Sequence, residues 1–253
     1  MIYFSLTISL ILILFLSYAT NGLWVKYINN KFLKGFLLPG SIIHELSHAL
    51  LCLVTGTTIS ELNLFRTDNT GIKYDKPKVP FVFDFFITSA PIFGCAFFII
   101  FISKILSNPI HMNNTFPEEI LFSFNGLFNL IRYLLDSVWI TFNSFRSQFL
   151  IKEVRHILFL FAIIVFTVSM SPHKQDFKYM ILGFIILSAI LFFLEKIGVS
   201  LLTYSWWDSF IKELWQITTL SISVLATLLF FTLIIMGFIK GYRLTFGYKG
   251  SNK

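Results

Sequence analysis

Charge is scarce in this chain. Asp, Glu, Lys and Arg together make up 13% of its 253 residues, about half of what a soluble domain uses to dress a water-facing surface. Cysteine is scarcer still: Cys52 and Cys95 are the only two, and each lies inside an apolar stretch. With no CxxC pair they exclude a disulfide framework, leave the redox compartment open, and read as small core residues. Internal repeats, low-complexity tracts and a recognisable soluble regulatory module are also missing, so control by an appended domain is not expected.

What remains is apolar. Hydrophobic residues account for 56% of the chain and aromatics for 18%, with Phe alone present 32 times, and the mean hydropathy is +0.77. These values predict one all-α, multi-pass integral membrane domain over residues 1–253 rather than soluble domains. The net charge is +7. Its basic residues sit in short clusters beside apolar runs: Lys26, Lys31 and Lys34, then Lys73, Lys76 and Lys78, then Lys240, Arg243, Lys249 and Lys253. Attraction to anionic lipid at a membrane surface explains that placement. No basic stripe follows a polar helix face, so nucleic acid is not an expected partner.

About six spanning helices are predicted. The run from Ile2 to Ala19 reads as a retained span, since no basic region precedes it and no small-x-small cleavage site follows. A basic connector over Asn21–Gly35 leads to a second span, Phe36–Thr55, with Pro39 near its start and Gly56 past its end. Residues Thr57–Val79 mix polar and apolar positions around the turn signal Asp68-Asn69-Thr70-Gly71, which predicts a short β-hairpin or layer. Further spans are expected over Phe81–Leu106, Leu150–Met170, Phe177–Leu194 and Trp215–Ile239. The stretch Phe116–Phe145, broken by Asn125, Asn129 and Arg132, fits either an interfacial amphipathic helix or a protein-buried span. The basic tail 240–253 reads as cytosolic, although basic residues also flank the opposite ends.

One string carries chemistry: Leu38-Pro-Gly-Ser-Ile-Ile-His44-Glu45-Leu-Ser-His48-Ala. It contains HExxH. Residues four apart lie one turn along a helix on the same face, so His44 and His48 aim at a common point, as a zinc ion about 2.0–2.1 Å from each nitrogen requires. Glu45 lies beside them, placed to take a proton from an activated water. Ionisable groups inside an apolar stretch are costly and mark function, and here three fall on one turn. Those residues predict zinc-dependent hydrolysis with Glu45 as general base.

The same string resembles the site-2 protease-like intramembrane zinc metalloproteases. The resemblance covers a core of about residues 36–180, with 177–240 as additional C-terminal spans. It implies cleavage of a membrane-anchored protein substrate, with residues Thr57–Val79 receiving the substrate as an added strand. Ser89-Ala90-Pro91-Ile92-Phe93-Gly94 is similar in position and breaker content to the family's second core helix but lacks its Asn. Independently of the family, Pro and Gly in a span can open backbone groups toward a cavity. The resemblance also implies a third zinc ligand, an Asp near a Pro-containing break. Asp176, four residues after Pro172, is preferred, with Asp136 as the alternative. Asp176 also reads as a loop acid capping the next helix, and Asp136 as the helical ion-pair partner of Arg132. His173 reads as a loop residue, and His111 and His156 as interface or core histidines. Two rival readings stay open: a zinc transporter or sensor, and an inactive homologue acting as a membrane adaptor.

Overall fold

The computed structural model describes residues 2–28, 30–62, 72–106, 124–151, 153–173, 176–197 and 203–246. Among these the chain forms helices α1 (Ile2–Tyr27) and α2 (Asn30–Thr55), strands β1 (Ile59–Glu61) and β2 (Lys73–Tyr74), and then five helices. These are α3 (Val82–Ile105), α4 (Phe124–Ile151), α5 (Val154–Ser169), α6 (Phe177–Lys196) and α7 (Ser205–Phe246). Five of the seven, α1, α2, α3, α6 and α7, are long and apolar enough to cross a membrane. That is the signature of an integral membrane protein.

The first two spans are longer than their apolar runs suggest. The expected connector over 21–35 is instead helix: α1 continues to Tyr27 and α2 begins at Asn30. Pro39 therefore lies inside α2 rather than at its start. A proline removes the helical bond to the carbonyl four residues back. That carbonyl belongs to Gly35, which is exposed, so the released acceptor is not sealed in the core.

Helix α5 is central and short. Phe159, Leu160, Ile163, Val165 and Phe166 are all buried, and its 16 residues reach about 24 Å, less than the roughly 30 Å of a hydrocarbon core. It runs alongside α2 in the same direction: Phe36 packs on Phe161 with ring centroids 5.2 Å apart, and further along Gly40 meets Val165 and Ser169. Helix α6 continues that direction. Phe177 packs on Phe15 of mid-α1, and Gly183 and Phe184 then reach Phe85, within a turn of the start of α3. Together α5 and α6 form one passage through the bundle, interrupted after Ser169 beside Pro172.

Helix α4 does not have the burial of a protein-enclosed span. Leu130, Leu134 and Phe145 pack against the core, while Phe128, Ile131, Leu135 and Trp139 are exposed. Helix α7 runs as one piece from Ser205, taking in Trp206 and Trp207 ahead of the expected Trp215 start. The expected hairpin is present as a two-stranded antiparallel sheet, with Ile59 opposite Tyr74 and Glu61 opposite Lys73. Its turn signal at 68–71 lies outside the described residues, as do His111 and the tail beyond Phe246.

Hydroxyls buried among these helices largely bond back to their own backbone. Thr7, Ser9, Thr20, Thr167, Thr218, Thr219, Ser223 and Thr227 each donate to the carbonyl four residues earlier. That answers the cost of a hydroxyl in an apolar core without a partner helix.

Close approach of α2 and α5 depends on Gly40, where a Cβ would lie 2.8 Å from both Ser169 Cβ and the Val165 carbonyl. Gly40→Val is expected to destabilise the protein by about 1–3 kcal/mol through overpacking. Gly22→Ala, where a Cβ meets nothing within 4 Å, should be neutral or stabilising by up to ~1 kcal/mol. Thermal unfolding in detergent checks both; equal behaviour of the two variants would refute the close approach.

Candidate metal centre

Helical periodicity turns His44, Glu45 and His48 of α2 inward, with relative exposures of 0%, 0% and 4%, while Leu46, Leu50 and Leu53 face outward. Each ring is then oriented by a backbone carbonyl. His44 Nδ1 lies 2.6 Å from the Ser169 carbonyl, and His48 Nδ1 lies 2.7 Å from the Ile87 carbonyl. A carbonyl only accepts, so both Nδ1 atoms carry a proton, and in the neutral ring that tautomer leaves the lone pair on Nε2.

Those two carbonyls are available for a reason readable in the chain. A helical carbonyl normally accepts from the N–H four residues later. For Ile87 that residue is Pro91, inside α3, which has no N–H. For Ser169 the helix has ended, with Pro172 close behind, and the last carbonyls of a helix lack intrahelical partners. Both breakers thus hand a free acceptor to a histidine, which accords with the reading of Ala90-Pro91 as a device that opens backbone groups inward.

The interrupted stretch between α5 and α6 supplies a third imidazole. His173, expected to be an ordinary loop residue, is in a loop but points into the site, with its ring centroid 5.3 Å from that of His44 and 6.0 Å from that of His48. One ring nitrogen from each of the three histidines lies within 4.8 Å of the other two. His173 Nε2 is buried without a hydrogen-bond partner and lies 3.7 Å from Glu45 Oε1. Glu45 Oε2 accepts a hydrogen bond from the Ile72 backbone N–H at 3.1 Å, which ties the run into β2 to the same carboxylate.

Neither predicted aspartate joins this group. Asp176 is 7% exposed and stands immediately before α6, where its carbonyl accepts from Met180 N–H at 3.0 Å. Its side chain makes no capping bond to the helix, so it is not the solvated cap of the bland reading. Its charge is felt at Tyr74 on β2: burial, then Asp176, then Asp84 push the Tyr74 hydroxyl well above its ordinary pKa. Asp136 is exposed on α4 and 3.9 Å from Arg132, one turn away, the ion-pair arrangement. His156 is buried at the start of α5, 3.4 Å from Glu153, and belongs to the core rather than the site. What the sequence did offer for His173 was its place immediately after Pro172, three residues nearer the break than Asp176.

The donor set fits zinc. Three imidazoles are a common catalytic zinc set that leaves a coordination position open, two are held in the ligating tautomer by carbonyls, and a carboxylate stands beside them. No family model, curated protein or solved structure matches the chain.

This geometry predicts the order of metal affinities, read by zinc content and chelator competition on detergent-purified variants. Pro91→Ala returns an N–H to the Ile87 carbonyl and should weaken zinc about 10–100-fold, the usual cost of losing an orienting partner. His173→Ala should lose zinc, while Asp136→Ala and Asp176→Ala retain it. Retention in His173→Ala with loss in Asp176→Ala would give the third position back to the carboxylate.

Proposed function

We propose that this chain is a multi-pass intramembrane zinc metallopeptidase of the site-2 protease type, residing in a cell membrane and hydrolysing peptide bonds of membrane-anchored proteins. The observation that carries the reading is Glu45, wholly buried and placed against three inward-facing histidines. Zinc held by His44, His48 and His173 would supply Lewis acidity, bringing the pKa of water toward ~7 and polarising the scissile carbonyl.

The chain's own residues account for the rest. Glu45 accepts the proton of the attacking water and delivers it to the departing amine, the two transfers a single positioned carboxylate performs in turn. His44 and His48 hold their Nε2 lone pairs inward because Ser169 and Ile87 hold their Nδ1 protons. The surrounding helices exclude bulk water, which strengthens each of these polar interactions. A spanning helix protects its own peptide bonds, so the substrate must present an extended stretch. The two-stranded β1–β2 sheet is the element that would receive it as an added strand. Ile72, which leads into β2, already touches Glu45, so a strand added there arrives beside the base.

A metal carrier is the second reading, because interrupted helices with polar groups at mid-depth also build transporter sites. The self-satisfied hydroxyls of α1, α5 and α7 disfavour it, since they line no continuous polar path.

Glu45→Gln separates the two. The variant should keep zinc and lose about 10²–10⁴-fold in cleavage of a co-reconstituted single-span reporter whose helix is broken by a Gly-Pro pair. Full cleavage by Glu45→Gln would sink the hydrolase reading; zinc uptake into vesicles by that variant, with no cleavage by wild type, would establish the carrier.

A further inference from the structure

The contact between Ile72 and Glu45 has no role in holding the β-sheet together. The sheet pairs Ile59 with Tyr74 and Glu61 with Lys73, and it is reinforced by Ser60 Oγ donating to the Lys73 carbonyl at 2.9 Å and by the Lys73–Glu61 ion pair at 2.8 Å. On the far strand Asp75 N–H donates to the Thr58 carbonyl at 3.0 Å, and Thr58 Oγ1 donates to the Asp75 carboxylate. The Ile72 N–H lies just outside that ladder. It is directed instead across to α2, into the carboxylate of Glu45, 27 residues earlier in the chain.

Ile72 is well placed for this. It is 8% exposed, so its side chain is anchored under the hairpin. Side chains alternate along a strand, and accordingly Lys73 is exposed while Tyr74 is half-buried on the same side as Ile72. Ile72 and Tyr74 thus share the buried side, and the Ile72 amide meets Glu45. A backbone N–H donates to one carboxylate oxygen and leaves the other, Oε1, turned toward His173 at 3.7 Å.

We propose that the backbone amide of Ile72 is a positioning group for Glu45: it fixes the carboxylate's rotation so that one oxygen handles the proton, and it couples the substrate-receiving hairpin to the base. This rests on the hydrolase reading above. A hydrogen bond from a backbone N–H is directional, and a base must lie within hydrogen-bond reach of the proton it takes. A strand pairing with the hairpin edge therefore orders, through Ile72, the same carboxylate that acts on it.

Two measurements test this. The first is amide hydrogen exchange across residue 72 in the detergent-solubilised protein. Wild type and Glu45→Gln both present an acceptor oxygen and should protect the Ile72 amide; Glu45→Ala should raise its exchange rate at least tenfold. Unchanged protection in Glu45→Ala overturns the contact. The second uses the Gly-Pro single-span reporter. Ile72→Pro deletes the N–H without touching a sheet bond and should lower kcat at least tenfold, with KM and zinc content held. Ile72→Val keeps the N–H and should stay within twofold of wild type. Wild-type kcat in Ile72→Pro beside an inactive Glu45→Gln overturns the positioning role alone, whereas an active Glu45→Gln overturns the hydrolase reading itself. Should Ile72→Pro not accumulate as folded protein, the exchange comparison decides.

Discussion

A carbonyl inside a helix ordinarily has its acceptor capacity filled by the N–H four residues on, and it is unavailable to anything else. At two places in this bundle that partner is missing. Pro91 withholds it from Ile87, and the end of α5 withholds it from Ser169. An unfilled acceptor in an apolar interior costs on the order of 1–3 kcal/mol, and here each is filled by a histidine Nδ1 proton. The tautomers, the ring orientations and the inward lone pairs all follow from that exchange. Remove the breakers and the helices would be better helices, with His44 and His48 left to settle their own protonation.

Packing serves the same two contacts. Gly40 lets α5 approach near enough for the Ser169 carbonyl to reach His44, and Gly94 lets α3 approach against Ser47, in the turn before His48. The interrupted passage of α5 and α6 then places the non-helical residues Ser171 and Pro172 in the bundle interior, where irregular backbone is tolerated because protein surrounds it. Taking a carboxylate such as that of Glu45 out of water costs several kcal/mol unless it is paired and hydrogen-bonded. One N–H from Ile72 offsets part of this. A divalent cation among the three rings would add to it.

The sequence made the HExxH turn legible because its information is local: three residue types on one helical turn need only the helix to be brought together. The Pro91 and Pro172 breakers were legible for the same reason, and so was the hairpin between α2 and α3. His173 was not. It enters the site through the direction taken by a loop after α5, a tertiary fact that spacing from Pro172 does not encode, and the resemblance to known proteases drew attention to the acid three residues later. The long first connector failed differently. Lys26, Lys31 and Lys34 read as a loop by charge, yet lysine is a good helix former whose stem lies comfortably along an apolar surface. The extent of α7 was hidden likewise, because Asp208, Lys212 and Glu213 interrupt the hydropathy without interrupting the helix.

The length of α7 sets a condition on any bilayer that holds it. Its stretch Ser205–Lys240 has 36 residues and so measures about 54 Å end to end. Tilted by about 40°, near the limit seen for spanning helices, it still covers about 41 Å along the membrane normal against roughly 30 Å of hydrocarbon. Nearly three turns must therefore stand clear of the acyl chains. The segment best dressed for that is the first, where Trp206, Trp207 and the Asp208–Lys212 ion pair present the amphipathic and charged groups that settle among headgroups. Tyr3, whose hydroxyl accepts from Trp207 Nε1 at 3.1 Å, is held at that level too. The depth of the histidine cluster below the headgroups is then gauged by an indole on one helix and a phenol on another, and a thicker or thinner bilayer would have to move both.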